Sequence, residues 1–256
     1  MTRTAIDLFC GAAGGWALGL ARAGVRVVTG VENDPDRARA YADRWRCPVL
    51  DDVRLLARHD FRWPDPWLLC GSPPCQDASE INRAGKGIDG DQTRLFFDAI
   101  RLAGDLRPAW LALENVSGLR TRGADRVINA MAEVGYAARS LVVGSSVAGK
   151  DHDRARVFLV APDTTRRERW SPGQSRPAPG SAPALWVDVP GSEDRRGGVE
   201  HLRAGTLGRH LRAYDGVSAG VAERARAAYG DTLDPIFPEL IARALIAWED
   251  GGRAAA

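Results

Sequence analysis

The 256-residue sequence predicts a doubly wound α/β protein on a mostly parallel sheet, and three observations point there. Residues 4 to 160 alternate short apolar runs with amphipathic stretches, the strand–helix–strand rhythm of a sheet covered on both faces. The first apolar run ends in the glycine-rich turn "DLFCGAAGG" and passes directly into a helical pattern. Hydrophobic residues make up 45% of the chain, enough for a full core and too many for a disordered tail protein.

Taken in order, strands are expected at Thr4 to Phe9, Val25 to Val31, Trp67 to Gly71, Trp110 to Glu114, Ala137 to Val143 and Arg156 to Ala161. Between them, Trp16 to Ala23 reads as a helix, with Leu18 and Leu20 among alanines. Pro35 suits the first position of a second helix, which ends near Arg46, and Arg94 to Leu106 has apolar residues at helical spacing. Gly24 and Gly135 stand where helices should stop. After Pro162 the rhythm breaks, with Pro172, Pro177, Pro179, Pro183 and Pro190 interrupting any long element. Regularity returns near Ala219 and closes in an amphipathic stretch from Pro238 to Trp248. The expected organisation is therefore a main domain over 1–162, a short irregular region over 163–218 and a C-terminal segment, 219–256, packing back on the main domain.

Composition narrows the setting. No apolar run approaches the roughly 20 residues that cross a bilayer, and the amino terminus lacks a basic-then-apolar leader, so no membrane partner and a cytoplasmic location are expected. Four cysteines, Cys10, Cys47, Cys70 and Cys75, show neither Cys-x-x-Cys pairing nor histidine at ligand spacing, which argues against zinc and against a disulfide framework. The net charge of +2 neither demands nor excludes a polyanionic partner. Lys86 and Lys150 are the only lysines, so almost every cation is a planar arginine fork suited to phosphates and base edges. Genomic base composition, in a chain also rich in alanine and glycine, is the plainer explanation.

Chemistry-bearing residues fall at the ends of the expected strands. Glycines in the turn Asp7 to Gly15 let a ligand approach the backbone and the amides of the helix start. Glu32 closes the second strand about 20 residues further on, placed for ribose hydroxyls, and Asp52 follows the short apolar pair Val49 and Leu50. In "LLCGSPPCQ" a Gly-Ser-Pro-Pro turn holds Cys75 at the mouth of the sheet, where open α/β proteins bind ligands. "WLALENVSGL" brings Glu114 and Asn115 to the same edge, and a carboxylate beside a thiol is an acid/base partner for a nucleophile. "DHDRARVFLVA" puts Arg154 and Arg156 two residues apart at the start of a strand, pointing the same way.

In that order, "DLFCGAAGG", "PPCQ", "ENV" and "RARVF" resemble motifs one, four, six and eight of the cytosine carbon-5 DNA methyltransferases, and "TRLFFDAIRL" resembles the fifth. The resemblance implies the Rossmann-like methyltransferase sheet and S-adenosylmethionine as cofactor, leaving as S-adenosylhomocysteine, with no metal. It places Asp7, Phe9, Gly11, Gly14, Gly15, Ser72 and Pro73 around the cofactor, Glu32 at its ribose, and Asn33, Asp52 and Leu95 beside its adenine. Cys75 matches the nucleophile that adds to carbon 6 of cytosine, Glu114 the group on ring nitrogen 3 and the exocyclic amine, and Arg156 with Arg154 the holders of the base oxygen. The implied substrate is double-stranded DNA with its target base flipped out. A restriction endonuclease or an accessory chain is the candidate further partner, and a monomer is the expected state.

The sequence departs from the family pattern in places. The first loop is one residue longer than the commonest form, His152 stands where glutamine is usual, and "YGDTLDP" has Asp231 in place of the closing motif's asparagine. An ionised aspartate only accepts hydrogen bonds where the amide would also donate. The stretch 163–218 falls where the family reads its target, and its shortness predicts a short or lax site. Two alternatives stay open at this point: a transfer-RNA cytosine methyltransferase of the same fold, and a nucleic-acid binder that has lost turnover.

Overall fold

A computed structural model describes residues 2–63, 65–74, 94–121, 123–143, 155–165 and 233–254. In chain order the elements are β1 (Thr4–Leu8), α1 (Gly15–Arg22), β2 (Arg26–Val31), α2 (Pro35–Trp45), β3 (Val49–Leu50), β4 (Leu68–Gly71), α3 (Leu95–Leu106), β5 (Trp110–Val116), α4 (Ala124–Glu133), β6 (Arg139–Val143), β7 (Arg156–Pro162) and α5 (Ile236–Ala254). They build one seven-stranded sheet in the order β3-β2-β1-β4-β5-β7-β6. Every neighbouring pair is parallel except those of β7, which runs antiparallel to both β5 and β6. The expected doubly wound, mostly parallel sheet is what the chain forms.

Boundaries follow local chemistry. β1 stops at Leu8 because Phe9 takes a left-handed conformation, φ 55°, incompatible with a strand. Asp34 starts α2 by accepting the backbone N–H groups of Asp36 and Arg37, both at 3.0 Å, with Pro35 at the first helical position. Gly24 and Gly135 have the positive φ expected after α1 and α4. The last helix is longer than the sequence pattern predicts. It begins at Ile236, whose N–H is received by the Asp234 side chain at 3.1 Å, and continues through Glu249, which anchors its far end.

The sheet separates two apolar layers. Ile6, Leu8, Leu69, Leu111 and Leu113 face α3 and α4, where Phe96, Leu102, Val127 and Met131 are buried. On the other side Ala5, Cys70, Trp110 and Ala112 face α1, α2 and α5 through Trp16, Leu20, Tyr41, Phe237, Ile241 and Leu245. These α5 residues recur at helical spacing, so one apolar stripe packs against α1 and the sheet. At the amino-terminal edge of the parallel strands, Glu249 accepts the indole N–H groups of Trp67 (2.9 Å) and Trp110 (2.8 Å) and pairs with Arg3 (3.4 Å). No helix among the described residues is long and apolar enough to cross a membrane.

Candidate active site

The strand order fixes where a ligand can sit. From β1 the chain moves to β2 and β3 on one side, whereas β4 and β5 lie on the other, so a crevice opens at the carboxyl ends of β1 and β4. The turn after β1, the ends of β2 and β3, the Ser72–Pro74 turn after β4 and the end of β5 all meet along this edge. The antiparallel β7 brings its first residue to the same edge: Arg156 pairs in register with Val116, and Phe158 with Glu114.

The turn after β1 is braced by a carboxylate. Glu32 Oε2 accepts the Gly11 N–H and Oε1 accepts the Asp34 N–H, both at 3.0 Å. Gly11 has φ 59°, and no atom of the described residues lies within 4 Å of the space a side chain would take there. Gly14 is also left-handed, φ 63°, but closely covered: a Cβ there would lie 2.3 Å from Trp45 Nε1. The turn is thus open to a ligand at its first glycine and packed at its next. Glu32 has further lone pairs on each oxygen, enough to receive two vicinal hydroxyls. An open glycine beside a braced carboxylate fits the ribose end of S-adenosylmethionine.

Asp7 differs from expectation. It was expected among the cofactor contacts, yet it is 1% exposed and lies beneath the turn, accepting the Tyr41 hydroxyl at 2.8 Å. Burial pushes its carboxyl up to about 7, against the lowering effect of the Tyr41 hydrogen bond and with the Glu32 charge adding to the rise. Among the described residues no group meets hydrogen-bond geometry with its Oδ1. Burial also raises the Tyr41 hydroxyl and the Cys10 and Cys70 thiols, all facing the same carboxyl, so these cysteines stay protonated and unreactive.

Across the crevice, the Ser72–Pro74 turn is gripped twice. Trp16 Nε1 donates to Ser72 Oγ at 3.1 Å, and Asn115 Nδ2 donates to the Pro73 carbonyl at 2.9 Å. Beside Asn115, Glu114 is 6% exposed, and its Oε1 lies 2.9 Å from Arg156 Nε. A carboxylate taken so far out of water needs such a partner, and the guanidinium fixes its orientation at the crevice. The structure therefore brings together Glu114, Arg156, Ser72 and Pro73 on one flank and Phe9, Gly11, Gly14, Gly15 and Glu32 on the other.

The adenine-side residues are mixed. Asn33 is exposed next to Glu32, and Leu95, the first residue of α3, packs half-buried against the core. Asp52 follows β3 as expected, but its carboxylate already receives the Arg54 backbone N–H at 3.0 Å and the Arg54 guanidinium, and its pKa is lowered by that pairing. A ligand amine would share it with Arg54. Cys75, Arg154 and Asp231 lie outside the described residues, as do His152 and residues 166–218. Sequence reasoning missed Trp16 and Tyr41 and gave Asn115 no task. The one available signal was their company: Trp16 directly follows the glycine pair, and Asn115 directly follows Glu114.

Comparisons with known proteins identify the family and the fold. The family model of C-5 cytosine-specific DNA methylases matches residues 3–184. Among curated relatives, the type II methyltransferase M.NgoMIV of Neisseria gonorrhoeae is 34% identical over 169 residues, covering 63% of this chain and 52% of its own. The type II methyltransferase M.HgiDI of Herpetosiphon aurantiacus is 31% identical over 159 residues, covering 60% and 50%. The chain spans about half the length of the curated relatives it matches. A solved DNA modification methyltransferase encoded within an E. coli prophage superposes with TM-score 0.50 at 28% identity, over 63% of this chain and 47% of the other. The Spodoptera frugiperda DNMT2 structure, at TM-score 0.53 and 18% identity over 68% and 53% of the two chains, shares the fold. With its family match spanning most of the 256 residues and its site elements ordered along one sheet edge, the chain belongs to the C-5 cytosine-specific DNA methylase family.

Proposed function

We propose that this chain methylates carbon 5 of cytosine in double-stranded DNA. The observation that carries this reading is the buried Glu114–Arg156 pair, set beside a proline turn that leads within one residue of Pro74 to Cys75. S-adenosylmethionine, when bound, supplies the methyl group. Glu32, Gly11 and the Phe9 turn would hold its nucleoside, with Asn33, Asp52 and Leu95 at the adenine and Ser72 and Pro73 at the opposite wall.

The residues divide the chemistry. The Cys75 thiolate adds to carbon 6 of a flipped-out cytosine, while Glu114, at ring nitrogen 3 and the exocyclic amine, favours the form of the base protonated at nitrogen 3, which draws electron density away from carbon 6. Arg156, with Arg154, holds the base oxygen, and its bond to Glu114 keeps that carboxyl aimed at the ring. Addition makes carbon 5 electron-rich enough to take the methyl group. Loss of the carbon 5 proton then expels the Cys75 thiolate and restores the aromatic ring. A duplex base cannot present carbon 6 to a side chain within the stack, which is why flipping is part of the reading.

Domain roles follow the same reading. Residues 1–162 carry the catalytic and cofactor machinery, 163–218 read the target, and 219–256 close the catalytic domain. The type II relatives make a restriction endonuclease the natural companion of such an activity, in the cytoplasm. The test is transfer of labelled methyl groups to duplex DNA and, separately, to transfer RNA, followed by bisulfite sequencing of DNA from expressing cells. Labelled DNA with protected cytosines in a repeated context is the expected result. Labelling of RNA alone, or of neither, would overturn the reading.

A further inference from the structure

Trp16 sits where the two flanks of the crevice join. It follows Gly14 and Gly15 directly, is 3% exposed, and packs edge-on against Phe158 with ring centroids 6.2 Å apart. Phe158 is the cross-strand partner of Glu114. The Trp16 indole N–H reaches across to Ser72 Oγ at 3.1 Å. A buried indole needs such an acceptor, and a phenylalanine would keep a ring against Phe158 while removing both this bond and the volume of the pyrrole part.

The acceptor is well chosen for passing position onward. Ser72 is followed by Pro73 and Pro74, whose rings fix φ and leave few soft torsions between Ser72 and Cys75. The Pro73 carbonyl is held in turn by Asn115. A shift in the glycine turn is therefore felt at Ser72 through one hydrogen bond and carried toward the thiol along a stiff segment. The Ser72 hydroxyl, having accepted from the indole, keeps its own proton to donate elsewhere.

We propose that Trp16 is a positioning residue: through Ser72 it couples occupation of the glycine turn to the placement of the turn that carries Cys75. This rests on the reading that the crevice holds S-adenosylmethionine. The probe is S-adenosylhomocysteine, and the readout is the rate at which iodoacetamide alkylates the Cys75 peptide, with and without that probe, in the full chain. In the wild type the probe is expected to slow alkylation several-fold. In Ser72→Ala, which leaves the indole in place, and in Trp16→Phe, which also leaves a small gap, the slowing should shrink by roughly five-fold, the scale of one net hydrogen bond. The double variant should be no worse than either single one, because both remove the same link. Calorimetry should show Trp16→Phe binding the probe within roughly threefold of wild type, which a simple loss of fold would not allow.

A probe effect on Cys75 that survives undiminished in Trp16→Phe would overturn the coupling, as would its absence in the wild type. The outcomes separate the two proposals. A chain that transfers no methyl group to DNA but shows the coupled protection would sink the proposed function and leave the coupling intact, whereas active transfer with uncoupled protection would do the reverse.

Discussion

The two edges of the sheet handle glutamates drawn out of water, Glu249 half-buried and Glu114 buried, in different ways. At the amino-terminal edge, Glu249 is closed off by two tryptophan N–H groups and Arg3, all anchoring α5. The Arg107–Asp163 pair nearby is similarly enclosed, with the Arg107 guanidinium over the Tyr136 ring and donating to the Val134 carbonyl at 2.5 Å. At the carboxyl edge, Glu114 is held by Arg156 next to a crevice, Phe9 adopts a strained left-handed conformation, and both Asp7 and Asn115 keep a buried oxygen without a partner. Similar residue types thus build a lock at one edge and a poised site at the other. Among the described residues, left-handed side-chain-bearing backbone occurs at both edges, Phe9 at one and Arg107 at the other, so what sets the carboxyl edge apart is its buried oxygens outside any hydrogen bond, whereas the opposite edge satisfies its carboxylates.

The sharpest test of this contrast is to remove one carboxylate at each edge. Glu114→Gln keeps the size and an acceptor toward Arg156 but removes the charge that Arg156 pairs with, so the melting temperature should fall, and at temperatures where the variant is folded single-turnover methyl transfer should drop by roughly 10²–10⁴-fold with only a modest loss of DNA affinity. A defect confined to DNA binding would remove Glu114 from its assigned task. Glu249→Ala leaves two indole donors unpaired and should cost about 3 kcal/mol in urea unfolding, with S-adenosylhomocysteine affinity preserved at temperatures where the variant is folded. An unchanged unfolding midpoint would show that α5 is held by its apolar stripe alone.

Asp7 gives the third and smallest test, and it is one of pH. Its carboxyl is raised to about 7 by burial, so between about pH 4 and pH 7 the folded chain keeps a proton that the unfolded chain has released. The contribution of this group to stability therefore declines as pH rises through that window and is level above it. Asp52, whose carboxyl is lowered, acts in the opposite sense and only below about pH 4, where it loses stability as pH falls. Asp7→Asn should remove the decline, so that the variant gains about 2–3 kcal/mol relative to wild type between pH 5 and pH 8 in urea titrations. A gap that stays constant with pH would mean Asp7 titrates normally.

Legibility from sequence followed the range of the interaction. β1, β4 and β5 were visible as apolar runs, and α2 as a capped, proline-started pattern, because each is written in adjacent residues. β3 has two residues, too few for any period, and the reversal of β7 leaves no mark because alternation carries no direction. Glu32, Glu114 and Arg156 were legible as motif residues at strand ends. The Trp16–Ser72 and Asn115–Pro73 contacts join residues 56 and 42 positions apart, and nothing local announces them. The Asp7–Tyr41 contact is hidden from the sequence for a related reason: the motif puts Asp7 at the turn, but the alternation of β1 sends its side chain inward to Tyr41, 34 positions away.

The central claim is that this crevice works through a transient bond between Cys75 and a flipped cytosine. It is tested most directly with duplex DNA carrying 5-fluorocytosine, incubated with the full chain and S-adenosylmethionine, because fluorine at carbon 5 blocks the elimination that would release the enzyme. The account predicts a denaturant-stable protein–DNA adduct whose peptide map places the attachment at Cys75, absent in Cys75→Ser. Efficient methylation of ordinary duplex DNA with no adduct trapped, or an adduct at another residue, would contradict it.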